Sequence, residues 1–248
     1  PQAIDATTIG LMVCNESCLI DERASHGVVT VEDGIAVAHI VDVAMDPDSP
    51  YLNVRWPHFT ADGGFYVLVR LVGGPQQVLR FEADGAMTVI AEDVVGDPES
   101  PFAEFQDLGA PAADGRFAML ATMTDGTQRI LLYENGAWVE IVTSCVGIDE
   151  LFGTSLDVDA AGQVCFYAHD YADDGTTTAM LCVADRDACR VIVRMGDVLQ
   201  SDVGPVVVGA LSSFVSKNES GRVVFNSLLL DPDDGSQISD AVWSADGD

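Results

Sequence analysis

Lysine is almost missing from this 248-residue chain. Lys217 is the only one, and eleven bases face forty acids for a formal net charge of −29. A surface of that sign repels nucleic acid and anionic membranes, which argues against both as partners. It attracts divalent cations and tolerates salt. No apolar run approaches the roughly 18 to 20 residues that a membrane-crossing helix needs. Helical periodicity is absent throughout. The chain has no Gly-x-Ser-x-Gly elbow, no phosphate-cradling glycine loop and no His-Glu-x-x-His. It also lacks Cys-x-x-Cys and any Cys/His cluster. The four histidines, His26, His39, His58 and His169, are not spaced as a metal pair, and none lies beside a plausible Ser or Cys nucleophile. His39 and His58 read as solvated or hydrogen-bonded strand residues. An initiator methionine is missing too; the chain starts at Pro1 and reads as a mature, processed, secreted polypeptide.

What is present is enough apolar material for a core: 48% of the residues are hydrophobic. Six cysteines, an even number, fit an oxidising compartment. Sequence proximity pairs Cys14 with Cys18 and Cys182 with Cys189, leaving Cys145 with Cys165. That is the most local of several connectivities.

The dominant signal is a repeat. In Val78 to Asp93 two alternating apolar runs meet at Asp84-Gly85, a strong hairpin signature. Equivalent turns fall at Asp33-Gly34, Asn135-Gly136 and Arg186-Asp187, which with Asp84-Gly85 make a series spaced 51 residues apart, and at Asp246-Gly247, 60 further on. A type I′ turn, with positive φ at both central residues, is expected at these steps. A period near 50 residues marks a repeat architecture. A second turn, at Gly63, Gly115, Gly162 and Gly221, leads into runs with apolar residues at the second and fourth positions beyond it. That spacing is the face of a buried strand. Each unit therefore has four strands: a (over 51–57, 102–108, 152–158 and 207–215), b after the glycine turn, and c and d in the hairpin. Units of four antiparallel strands are the size of propeller blades.

Asn218-Glu219-Ser220-Gly221-Arg222-Val223-Val224-Phe225 is the fullest copy of an Asn/Asp-x-x-Gly-x-x-x-Phe pattern. It resembles the repeats of a tandem-repeat family of secreted bacterial proteins, often carrying a C-terminal sorting or anchor tail. That resemblance implies a β-propeller in an extracellular setting and implies no reaction. The expected fold is all-β: a five-bladed propeller over residues 1–248, with units of about 5–58, 59–110, 111–158, 159–217 and 218–248. Eighteen of twenty strands are identifiable. Residues 2–9 can supply strand a of the first unit or strand d of the last. One sheet edge is then open, and its unpaired backbone groups invite another chain.

Acids are so numerous that any pair is cheap evidence. The sharpest enzymatic pattern is a glycosidase, with Glu104, Asp107 and Asp157 on inner strands supplying an acid and a nucleophile or base. The proline-containing loops with Asp46, Asp48, Asp97, Glu99, Asp231 and Asp233 offer hard oxygens to Ca²⁺, though none has EF-hand spacing. Asn15-Glu16-Ser17 and Asn218-Glu219-Ser220 are glycosylation sequons. Trp56, Trp138 and Trp243 fall on strands a, d and c as packing residues. The leading expectation is a non-catalytic, structural or adhesive subunit of an extracellular fibre or surface assembly, pairing with copies of itself. The alternatives are a carbohydrate- or ligand-binding propeller and a glycosidase.

Overall fold

The computed structural model describes residues 2–3, 8–13, 27–32, 35–141, 143, 150–202, 204–218 and 220–245. Among these there is no helix, so none that could cross a membrane. Twenty strands form five four-stranded antiparallel sheets, each laid down in chain order. The first holds β1 (Gln2–Ala3), β2 (Thr8–Val13), β3 (Gly27–Glu32) and β4 (Ile35–Val41). The second holds β5 (Tyr51–Phe59), β6 (Phe65–Leu71), β7 (Gln76–Phe81) and β8 (Met87–Glu92). The third is β9 (Phe102–Leu108), β10 (Phe117–Met123), β11 (Gln128–Glu134) and β12 (Ala137–Glu140). The fourth is β13 (Glu150–Val158), β14 (Val164–Tyr171), β15 (Thr177–Ala184) and β16 (Cys189–Arg194). The last is β17 (Val198–Ser201), β18 (Gly204–Lys217), β19 (Val223–Leu230) and β20 (Gln237–Ala245).

The four-strand expectation holds, with a different tally. Among the described residues twenty strands replace eighteen: the N-terminal segment takes one of the two places expected for it, and β17 was not foreseen. β1 pairs with β2, so the N-terminal segment serves as strand a of the first sheet. β17 arises where the link into the last sheet folds back as a tight hairpin, with Ser201 opposite Gly204. The second, third and fourth sheets begin at strand a, so each takes its first strand from the tail of one sequence unit and the rest from the next.

The links from strand d to the next strand a explain a repeated motif. In Asp42 to Tyr51 and in Asp93 to Phe102 the same bonds recur. Val43 N donates to Tyr51 O at 2.9 Å and Val94 N to Phe102 O at 2.7 Å. Ser49 Oγ donates to Val41 O, and Ser100 Oγ to Glu92 O, both at 2.6 Å. Asp42 and Asp93, each buried, cap the backbone amides two and three residues on. The prolines beside the serines have no amide to leave unsatisfied in such a loop.

The expected hairpin chemistry is half right. Asn135 and Gly136 both have positive φ, 51° and 79°, as a type I′ turn requires. At Asp84-Gly85 only Gly85 does, at 86°. There the loop runs from Glu82 to Ala86, and Asp84 Oδ1 accepts Ala86 N at 2.9 Å. At Arg186-Asp187 neither residue has positive φ, because Asp185 Oδ1 caps Asp187 N and Ala188 N instead. An aspartate that bonds its own loop offers an alternative to the left-handed pair. Asp33-Gly34 and Asp246-Gly247 lie outside the described residues.

The chain divides into two compact units. One comprises residues 1–115 with 121–127; the other comprises 116–120 with 128–248. In the first unit Val28, Ile40, Val54, Phe65, Val67 and Phe81 form the core between the first two sheets. Phe65 stacks on Phe81 at 4.6 Å, and the His39 ring meets Phe65 edge-on at 5.6 Å. Such aromatic pairs add about 0.5–1.5 kcal/mol beyond area burial. In the second unit Cys165, Tyr167, Leu181, Val183, Val208 and Phe225 join the fourth and fifth sheets.

The expected disulfides Cys182–Cys189 and Cys145–Cys165 are not formed, since Cys165 and Cys182 are buried free thiols. Register gives the reason for the first. Cys182 lies opposite Val191 and Cys189 opposite Ala184, so the two are diagonal neighbours across the ladder. Diagonal positions are about 7–8 Å apart, and a disulfide needs Cα atoms within about 4.4–6.8 Å. Cys165 sits in the apolar interior of β14, acting as a small hydrophobe. Cys189 is disulfide-bonded, to neither of these two. Cys14, Cys18 and Cys145 lie outside the described residues.

Candidate functional site

The carboxylates proposed for catalysis have other neighbours. Glu104 is exposed on β9, 3.8 Å from Arg70. Asp107 on the same strand is buried, and its Oδ1 accepts Leu108 N at 2.8 Å. Three positions apart on a strand, the two face opposite sides, so they do not form an acid–nucleophile pair. Asp157, in the second unit, accepts Lys217 N at 2.9 Å through Oδ2. Burial raises its pKa despite that bond and one from the Ser216 side chain.

The loop acids are similarly engaged. Asp46 Oδ1 accepts Asp48 N, Asp97 Oδ1 accepts Glu99 N, and Asp231 Oδ1 accepts Asp233 N, at 2.8 to 3.0 Å. Asx turns of this kind fold their own loops. Among the described residues no group of three or more His, Cys, Asp or Glu side chains is arranged to hold a metal ion.

Several polar residues instead tie neighbouring sheets together, and nothing in their spacing announced it. Gln76 and Gln128, each the first residue of a strand c, reach the following strand a, at Phe105 and Leu151 respectively. His58 Nε2 donates to Leu108 O at 2.8 Å. Burial holds the His58 pKa down to about 4, against the smaller opposing pull of that bond. The neighbouring Trp56 adopts φ 46° at a bulge in β5, and the Arg55 guanidinium lies 5.7 Å from its ring centroid. Trp138 packs with Phe117 and Tyr133.

The surface most open to a partner is the fifth sheet. β18, β19 and β20 play the parts of strands a, b and c, and among the described residues no strand lies beyond β20. Alternation along β19 buries Val223, Phe225, Ser227 and Leu229 and turns Val224 and Asn226 outward. β20 is exposed along most of its length, with Ile238 46% and Val242 70% accessible. A groove of about 470 Å³ beside it is lined by Ala210, Asn226, Leu228, Asp240 and Val242. A second, of about 360 Å³, lies between the β17–β18 hairpin and β20, with Gln200, Ser201, Asp202 and Trp243 in its lining. Both share Ala241 and Val242. An edge strand carries a row of backbone donors and acceptors without ladder partners, and here apolar side chains accompany them.

Five such sheets in sequence, all antiparallel and of similar size, define the β-propeller class. The chain matches no protein-family model and no curated protein. Among solved structures it is similar to the β-propeller domain of the Trilobed protease from Pyrococcus furiosus. That likeness has a TM-score of 0.52 at 14% identity and covers 98% of this chain and 66% of that one. TolB from Acinetobacter baumannii aligns at TM-score 0.44 and 11% identity, over 96% of this chain and 64% of that one. A six-bladed fungal lectin, from Aleuria aurantia, aligns at TM-score 0.37 and 11% identity, over 77% and 63%. The chain thus spans just under two thirds of the length of these structures. The Pyrococcus likeness establishes the fold and nothing of the activity.

Proposed function

We propose that this chain is a secreted, non-catalytic propeller of five blades whose task is association. On this reading it is a structural or adhesive subunit of an extracellular assembly, and a strand from another copy pairs with the open edge of β20. The observation that carries the reading is the exposed strand β20, beyond which no strand lies among the described residues, with the two grooves beside it. Main-chain pairing along β20 supplies affinity, while alternate side chains of the incoming strand fill the groove beside Val242. The structurally similar Pyrococcus domain is described as having an open velcro topology, and an open arrangement of that kind is compatible with this reading. Copies carrying −29 charges repel one another, so association strengthens as salt screens that repulsion. Light scattering after size-exclusion chromatography, with negative-stain microscopy, tests this. Wild-type protein is expected to form multimers at physiological salt, and Val242→Lys with Ile238→Lys to stay single. A wild-type protein that remains monomeric at high concentration would sink the proposal.

Carbohydrate binding is the second reading. It draws on the groove of about 360 Å³, where Trp243 stands near the hydrogen-bonding side chains of Gln200, Ser201 and Asp202. A glycan array with the monomeric double variant separates it from the first. The glycosidase reading has no comparable support, since Glu104 and Asp107 face opposite sides of β9.

A further inference from the structure

The only lysine in the chain is fully enclosed. Lys217 Nζ lies 2.8 Å from Asp159 Oδ2, and the two side chains are 0% and 3% exposed. Counting from the b-turn glycine, Lys217 holds the position occupied by Phe59, Pro111 and Val158 in the other units. A core position of the repeat has therefore been given to an amine. The remaining contacts are arranged around one carbon atom. Asp159 Oδ1 accepts Ala161 N and Gln163 N, each at 2.9 Å. Gln163 Oε1 accepts from Lys217 Nζ at 3.0 Å, and Asp157 Oδ2 holds the Lys217 main chain. Oδ1 thus lies in a two-amide cradle and Oδ2 beside the amine.

We infer that Lys217 and Asp159 are the two halves of an intramolecular isopeptide bond. The step begins with transfer of one proton from Nζ to Oδ2 across the 2.8 Å between them. Nζ attacks Cγ and forms the C–N bond. Negative charge develops on Oδ1, where the Ala161 and Gln163 amides receive it as an oxyanion hole does. Collapse expels Oδ2 as water, which carries the transferred proton and one of the two remaining on the nitrogen. One amine and one carboxylic acid become one amide and one water, with no oxidant or reductant. Fixed proximity supplies the effective concentration that free amine and carboxylate lack in solution. Asp157 is a positioning residue that holds the lysine backbone. The product is a covalent tie between the fourth and fifth sheets, closing the loop from 159 to 217.

Intact-mass spectrometry of the denatured, reduced protein decides the matter. The expected mass is one water below that of the sequence. Proteolysis should yield a branched peptide joining the segments around 159 and 217, and Lys217 should resist amine labelling in denaturant. Lys217→Arg, which keeps the charge and cannot form the link, is expected to restore the full mass. A wild-type protein of full mass whose lysine labels on unfolding overturns the inference, whether or not any variant folds. So does a water deficit that survives Lys217→Arg, since that assigns the loss to a succinimide at an Asp-Gly step.

Discussion

Gln76 treats Phe105 as a neighbouring strand would. Phe105 N donates to Gln76 Oε1 at 2.9 Å, and Gln76 Nε2 donates to Phe105 O at 3.4 Å. One side-chain amide thereby satisfies both main-chain groups of a residue on the next sheet, and Gln76 itself is 3% exposed. Buried backbone groups must find partners, and where the ladder of one sheet ends a glutamine completes it.

Replacing Gln76 by leucine keeps most of the volume and leaves both Phe105 groups without that partner. Each unsatisfied group costs about 1–3 kcal/mol. Urea unfolding should show a lower midpoint at unchanged slope. A midpoint equal to wild type would mean that the amide carries no stability. Gln128→Leu, which takes the Oε1 acceptor from Leu151 N, should lower the midpoint as well.

Gly64 makes a close approach. A Cβ built there falls 2.4 Å from Phe81 O, a backbone atom that cannot rotate away. Gly64→Ala should destabilise by about 1–3 kcal/mol through overpacking. Gly126, where a Cβ meets nothing within 4 Å but φ is +83°, should lose only the smaller cost of a left-handed alanine. Thermal melts of both variants check the order.

Buried thiols give a chemical signature. Burial pushes the Cys182 thiol up to about 12 and raises that of Cys165 as well. The reactive thiolate is then scarce at neutral pH. Ellman's reagent should find neither thiol in the native protein and both after unfolding without reductant. Fewer than two thiols in the unfolded sample would show that these cysteines pair after all.

His58 makes stability depend on pH. Its folded pKa of about 4 lies below the ordinary 6.5, so the unfolded state takes up a proton first as pH falls. Stability is complete above about 6.5 and drains away down to about 4. His58→Gln can still reach Leu108 O and does not titrate. The difference in unfolding free energy between it and wild type should shrink across that window, as measured by urea titrations at several pH values. A difference that stays flat from neutral pH to about 4 would rule the mechanism out.

Turn chemistry and strand alternation are local properties, so residues such as Asp84-Gly85, Asn135-Gly136 and the Gly63, Gly115, Gly162 and Gly221 turns announced four-stranded antiparallel units along the chain. Strands too short to alternate were harder to read. β17, of four residues, was not foreseen, and β1, of two, was foreseen with its partner open between two sheets, a choice that only its pairing with β2 decides. Cysteine spacing misled because nearness in sequence says nothing of ladder register. Cys182 and Cys189 are seven residues apart and diagonal, which no count reveals.

Periodicity in the chain thus dictated an all-β repeat, since each turn and each alternating run needs only its own few residues. Contacts between sheets belong to another order. That Gln76 meets Phe105 and that Lys217 is closed in beside Asp159 depend on segments brought together from 29 to 58 residues away, and that β20 lies last in its sheet among the described residues depends on strand pairing. Burial and register, which exist only once the sheets have packed, decide which of the acids cap loops or meet a base and which strand lies last in its sheet.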